Sequence, residues 1–153
     1  MVVEALADRM RHRRPACLAD LRVAWDEPFL SVTLAHTDGA EVSVVQGDGY
    51  TAIVGGPVDF HGYVDAADLI ALLDAAFDGT LCDVRRLLLG RERAEHFEVV
   101  GADGRIGDAS HGLLGLLGRA LAPLPGVRSS VRRTRIRFDR APAFVEATLS
   151  PGP

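Results

Sequence analysis

The first half of the chain alternates apolar and polar residues in short runs, which is the pattern of strands with one buried face. Apolar side chains occupy every second position in residues 21–25, 30–34 and 42–44. Asp38-Gly39 lies between the second and third runs, and this pair favours a tight hairpin because glycine adopts positive φ at low cost. Together with a fourth run at residues 50–54, the pattern predicts an antiparallel meander.

A helical period replaces the alternation in three places. Near the N-terminus, four apolar residues before Pro15 share one helical face: Val3, Leu6, Ala7 and Met10. Residues 65–78 carry an apolar stripe, with Asp65 placed to cap the N-terminus and Gly79 placed to end the helix. Residues 108–121 predict another helix, with Asp108 as its cap.

Alternation returns in the second half and predicts the remaining strands, at residues 58–64, 84–89, 97–100 and 127–138. The last of these is rich in arginine, which is typical of an edge strand. Its apolar residues change face between Val131 and Ile136, so either a bulge lies near Arg133 or the strand passes from one sheet surface to another.

These elements predict an α+β fold. We expect an antiparallel sheet of about five to seven strands, with the 65–78 and 108–121 helices on one face and a short N-terminal helix. Residues 1–141 are expected to form a single domain, followed by a loosely held C-terminal tail at 142–153. The length of 153 residues fits one domain, and 48 % apolar residues suffice for a core.

Composition places the protein in the cytoplasm by default, with no membrane association, because no apolar run approaches a membrane span and the N-terminus lacks the pattern of a secretory signal. Cys17 and Cys82 have no His or Cys at ligand spacing, so we interpret them as small apolar residues. No cofactor or metal is expected. All 17 cations are arginines, which we interpret as a coding bias and not as a sign of nucleic-acid binding.

The charge distribution carries the main functional prediction. Residues 23–84 contain eleven carboxylates and no Arg or Lys. Four of these acids lie on the 65–78 helix and are predicted to dock a basic partner, although a solvated helix face is the ordinary alternative: Asp65, Asp68, Asp74 and Asp78. The sequence therefore favours a non-enzymatic interaction protein with an acidic surface, such as an inhibitor, an immunity-type protein, an adaptor or a self-associating homodimer.

A small enzyme is the first alternative. Asp59, His61 and Tyr63 fall on one face of an extended segment. An acid beside an imidazole fixes its tautomer, and a tyrosine can donate a proton, which would suit general acid–base catalysis. The polar face of a half-buried strand has the same pattern, so the sequence leaves the question open and favours no enzyme.

Nucleic-acid binding is the second alternative, through Arg133, Arg135 and Arg137 of the last strand. Such a surface normally adds stacking aromatic residues or a helix for the major groove, and Phe138 alone supplies little of this. The acidic pI of about 5.7 also disfavours it.

Overall fold

The alternating first half of the chain folds into a five-stranded antiparallel sheet with its strands in sequence order. The computed structural model describes residues 2–110, 117, 120–121, 124–147 and 149–152, with side chains from residue 7 onward. After helix α1 (Val2–His12), this first sheet contains β1 (Leu18–Asp26), β2 (Phe29–His36), β3 (Glu41–Gly47), β4 (Tyr50–Gly55) and β5 (Val58–Gly62). The predicted Asp38-Gly39 turn is confirmed, since Gly39 has a φ of 89° and its N–H donates to the His36 carbonyl at 2.9 Å.

Helix α2 (Ala66–Phe77) begins and ends where the sequence predicts. The Asp65 carboxylate accepts hydrogen bonds from the N–H groups of Ala67 and Asp68, each at 2.9 Å. At the other end Gly79 has a φ of 67°, the left-handed conformation that glycine adopts without strain. The leucines of the helix are buried, and they join the main core together with residues of both sheets.

The second half of the chain forms a second antiparallel sheet in the order β10-β9-β6-β7-β8, with β11 paired to β9. Its strands are β6 (Leu81–Leu88), β7 (Arg91–Val99), β8 (Arg105–Ser110), β9 (Ser129–Ile136), β10 (Phe144–Glu146) and β11 (Ser150–Pro151). The predicted antiparallel pairing is thus confirmed, but the described chain has more sheet and less helix than the predicted α+β fold. The prediction of one sheet of about five to seven strands is wrong, because the described residues contain eleven strands in two sheets.

The predicted start of the 108–121 helix is wrong, because residues 108–110 belong to strand β8. Asp108 and Ser110 lie in this strand, and Asp108 caps no helix. Ala109 pairs with Glu95 and Ile106 with Phe97, so two residues of β8 oppose one residue of β7 in a bulge. The bulge places Ile106 and Ala109 on the same buried side at a spacing of three, which the sequence pattern cannot distinguish from a helix. Leu117, Ala120 and Leu121 are helical, and the rest of the predicted helix lies outside the described residues.

Strand β9 is an interior strand, so the edge-strand interpretation of its arginines is wrong. It pairs with β6 on one side and with β10 and β11 on the other, which means that residues 144–146 and 150–151 of the predicted tail extend the sheet. The β6–β9 register is continuous, so no bulge explains the change of buried face. Instead, Val131 packs with Cys82 and Val84 on one surface of the sheet, and Ile136 joins the main core on the other.

The two sheets meet at the end of β5. Phe60 of β5 packs against Phe97 of β7 with ring centroids 5.0 Å apart. Gly62 permits a close approach to β8, since a Cβ there would lie 2.8 Å from the Asp108 carbonyl oxygen, and Tyr63 pairs with Asp108 in the next position. The core is therefore continuous between the sheets. No helix in the described part of the chain has the length and apolar content required to cross a membrane.

Candidate functional site

The acidic face of α2 is largely engaged by one arginine of α1 and one directly after it. Asp74 receives Arg9 at 2.6 Å and Arg13 at 2.9 Å, and Arg13 also contacts Asp78 at 2.6 Å. The hydrogen bond to Asp78 raises the pKa of Arg13. With Asp65 capping the helix, Asp68 is the one member of the predicted docking set that has no partner among the described residues. The charge asymmetry of the sequence is thus partly neutralised within the fold.

Other acids of the same segment also have internal partners. Asp38 accepts the Ala143 N–H at 2.9 Å, and this hydrogen bond lowers the pKa of its carboxyl group. Glu41 contacts Arg22 at 3.1 Å. Among the described residues, Asp68, Asp103 and Asp108 have no ion pair or side-chain hydrogen bond. The same holds for three acids at or beside the turns of the first sheet: Asp26, Glu27 and Asp48.

These acids lie beside exposed aromatic side chains at one end of the first sheet. The β1–β2 and β3–β4 turns are at the same end, because Asp26 pairs with Phe29 and Gly47 with Tyr50 in one continuous meander. The exposed fraction is 53 % for Trp25, 50 % for Phe29, 45 % for Tyr50 and 58 % for Tyr63, and these are all the exposed aromatic residues among those described. We call this surface the aromatic–acidic end; it comprises Trp25, Asp26, Glu27, Phe29, Asp48, Tyr50 and Tyr63.

Local contacts hold two of the aromatic rings in place. The ring of Phe29 lies over Gly47, where a Cβ would be 2.5 Å from the ring. The Tyr50 hydroxyl is hydrogen-bonded to Nδ1 of His61, whose Nε2 contacts Asp59 at 2.9 Å. In a neutral imidazole Nε2 then donates to Asp59 and Nδ1 accepts from Tyr50. The result is a chain of hydrogen bonds across β4 and β5.

The structure brings together two of the three residues of the predicted catalytic site. Asp59 and His61 are in contact. The other partner of the imidazole is Tyr50 and not the predicted Tyr63. Both ring nitrogens of His61 are hydrogen-bonded on an exposed sheet face, where its side chain is 47 % accessible. The hydrogen bonds between Asp59 and His61 and between His61 and Tyr50 fix the orientation of the Tyr50 side chain. Sequence reasoning missed Tyr50, although the register of the β4–β5 hairpin would have placed it next to His61.

The three arginines of the nucleic-acid alternative are separated by their contacts. Arg135 donates through Nε to the Gly79 carbonyl at 2.5 Å, and Arg137 donates to the Pro142 carbonyl at 3.1 Å. Arg133 is exposed and lines a cavity of about 520 Å³ together with Glu98. Two of the three guanidinium groups therefore join segments of the fold.

A buried charged cluster in the second sheet was missed from the sequence. Arg85 contacts Asp83 at 3.0 Å, Glu95 at 3.3 Å and Glu92 at 2.7 Å. Burial, and next the charge of Asp83, raise the pKa of Glu95 to about 9, so Glu95 holds a proton at neutral pH. Burial likewise raises the pKa of Asp83. The only sequence signal was the presence of Asp83 and Arg85 at alternate positions of a strand whose other residues, except Arg86, are apolar.

No three His, Cys, Asp or Glu side chains within the described ranges are arranged to hold a metal ion. The two thiols, Cys17 and Cys82, are both free, and burial raises the pKa of Cys82. Among the surfaces described above, the aromatic–acidic end combines exposed rings with unpaired charge. No protein-family model, curated protein or solved structure matches the chain.

Proposed function

We propose that the chain is a protein-interaction module that docks a basic partner protein on its aromatic–acidic end. One observation supports this above all: every exposed aromatic side chain in the described residues lies at the end of the first sheet where three acids are unpaired. Tyrosine and tryptophan are the residues that most often dominate binding energy at protein interfaces. The proposal keeps the predicted acidic interaction surface and moves it from α2 to the turns of the first sheet.

The partner is proposed to be basic because of the charge at this surface. Asp26, Glu27 and Asp48 carry three negative charges, and the nearby Arg22 is already engaged by Asp20 and Glu41 at 3.2 and 3.1 Å. Unpaired charges at the rim of an interface steer a partner of opposite sign and raise its association rate. Nucleic acid would be repelled by the same charges.

The surface is also ordered before binding. Phe29 lies on Gly47, and Tyr50 is held by His61 and Asp59. Aromatic side chains that are already fixed lose little conformational freedom when a partner binds. Rigid strands and short turns support these rings, which is the arrangement expected of a preformed docking surface.

The test is affinity capture from the cell that produces the protein, followed by rebinding of the purified partner. An aromatic variant (Trp25→Ala with Phe29→Ala) and a charge variant (Asp26→Asn, Glu27→Gln and Asp48→Asn) are compared with the wild type. Matched controls change an exposed apolar residue and an exposed acid elsewhere, Leu89→Ala and Asp103→Asn.

We expect a basic protein to be captured by the wild type and by both controls, and to be lost from both test variants. Capture should also weaken as salt is raised, because the Debye length falls to about 8 Å at physiological ionic strength. Capture that is equal for the wild type and both test variants would overturn the proposal.

A further inference from the structure

We propose, on the basis of the proposed function, that the partner binds as an extended segment that adds a strand to the free edge of β1. The segment would alternate apolar and basic side chains. This inference names both the mode of binding and the chemistry of the bound segment. It depends on the backbone groups along the edge of β1, whereas the docking proposal uses only side chains.

Strand β1 is the long open edge of the first sheet. It pairs with β2 on one side, and no strand of the described residues pairs with its other side. At the opposite edge of the sheet, β5 runs into a bridge between Tyr63 and Asp108 of the second sheet. An unpaired strand edge offers a row of backbone N–H and C=O groups to an incoming chain.

The start of this edge is protected as far as Leu21, whose N–H donates to the Asp20 carboxylate at 2.9 Å. The Arg14 guanidinium donates to the carbonyl of Leu18 at 3.3 Å and also to the carbonyl of Ala19. A register irregularity lies at the same place, between Leu18 and Asp20. From Asp20 to Asp26 the pairing with β2 is regular, and beyond Leu21 the five residues 22–26 form a continuous template.

The inner side of β1 is apolar and incompletely covered. Leu21 and Val23 are half-buried against the core and Trp25 is exposed, whereas the residues beside them on β2 are buried: Leu30, Val32 and Leu34. Proteins commonly protect such an edge with an inward-pointing charge or a proline, and β1 has neither. An added strand would complete the cover with apolar residues at alternate positions.

The negative charges on the outer side of β1 favour basic residues in the added strand. Around this side lie four acids and one arginine: Asp20, Asp26, Glu27, Glu41 and Arg22. Since successive side chains of a strand point to opposite faces, a segment with basic residues between its apolar ones would satisfy both sides at once. Trp25 and Asp26 belong to this edge and to the aromatic–acidic end, so the two surfaces are continuous.

The experiment measures amide hydrogen exchange in the full chain with a defined probe. The probe is a capped peptide of alternating valine and lysine at millimolar concentration, and the control is the same peptide with glutamate in place of lysine. We expect at least a tenfold slower exchange of alternate amides in residues 22–26 with the lysine peptide, and no change with the glutamate peptide. Val23→Lys, which places a charge on the inner side of the edge, should abolish this protection.

Two outcomes separate this inference from the docking proposal. If the cellular partner or the lysine peptide binds in a way that depends on Phe29 but leaves the β1 amides unprotected, the added strand is refuted and the docking surface stands. If the β1 amides are protected while the aromatic and charge variants bind normally, the docking surface is refuted and strand addition stands. Absence of protection with both the peptide and the captured partner overturns the inference.

Discussion

Arg13, directly after α1, donates to the carboxylate of Asp78, which caps the C-terminus of α2, across 2.6 Å. These residues are 65 positions apart in the chain, one in the basic flank and the other in the acidic middle segment. The contact neutralises part of the negative charge at the end of α2. It also ties the N-terminal helix to the rest of the fold.

The first prediction concerns this pair. Arg13→Ala should lower the free energy of unfolding by no more than about 1 kcal/mol, because both partners are substantially exposed to solvent. A double-mutant cycle with Asp78→Ala, measured by urea unfolding, should give a positive coupling energy that decreases with salt. Arg11→Ala is the matched control, since Arg11 is exposed in the last turn of α1. A coupling of zero at low salt would contradict the pairing.

The second prediction concerns the buried carboxyl group of Glu95. Its pKa is raised to about 9 in the folded protein, mainly by burial, and is lower in the unfolded chain, where the group is exposed. Between these two pKa values the folded state binds the extra proton, so stability must fall as the pH rises. Glu95→Gln should therefore be more stable than the wild type at pH 8, and its stability should depend less on pH.

Glu98 provides the control of opposite sign. The hydrogen bond with His96 lowers the pKa of Glu98 in the folded protein. The stabilisation that the Glu98 carboxylate gives to the fold is therefore present at neutral pH and is lost as the pH falls. Glu98→Gln should consequently destabilise the protein at neutral pH and have less effect in acid. Unfolding titrations over pH 4 to 9 would test both variants, at a maximum slope of about 1.4 kcal/mol per pH unit for each proton. A flat difference between Glu95→Gln and the wild type would contradict the assignment.

The third prediction concerns the cap of α2. Asp65→Ala removes the acceptor for two backbone N–H groups and should cost about 1 kcal/mol of unfolding free energy. Asp65→Ser should retain most of the stability, because serine caps helices equally well. Thermal or urea unfolding would measure both. Equal losses for the two variants would mean that the carboxylate acts by its charge and not as a cap.

The fourth prediction concerns the support of Phe29. A Cβ at position 47 would force the Phe29 ring out of its place over this glycine, and the half-exposed ring has solvent on its other side to turn into. Gly47→Ala should therefore change the unfolding free energy by less than about 1 kcal/mol, as is usual for surface substitutions. It should nevertheless weaken binding of the basic partner as much as Phe29→Ala does. A variant that binds as well as the wild type would show that the position of this ring does not matter.

Several elements could be predicted from the sequence because their signals are local. The meander follows from strict alternation and the Asp38-Gly39 turn, and α2 follows from its stripe, its Asp65 cap and its terminal Gly79. Division into two sheets could not be predicted, because alternation reports that one face is buried and not which strands are neighbours. Strand β8 was hidden by its bulge.

The candidate site was harder to predict than the fold. Exposure of the aromatic residues depends on where the sheet ends, and a pattern of apolar residues assigns Trp25 and Phe29 to the core by default. Asp26 and Asp48 can be recognised as acids without a partner only once the partners of the other acids are known. By contrast, the contact of Asp59 with His61 follows from strand alternation, and the sequence identified both residues.

The most direct test of the docking surface is photo-crosslinking in the living cell. A photoreactive phenylalanine analogue replaces Phe29 in one strain and Leu89, an exposed apolar residue outside the aromatic–acidic end, in another. We predict that irradiation links position 29 to a basic protein and that position 89 gives no such product. A chain whose position 29 remains uncrosslinked, or whose two positions capture the same proteins equally, would contradict the proposed function.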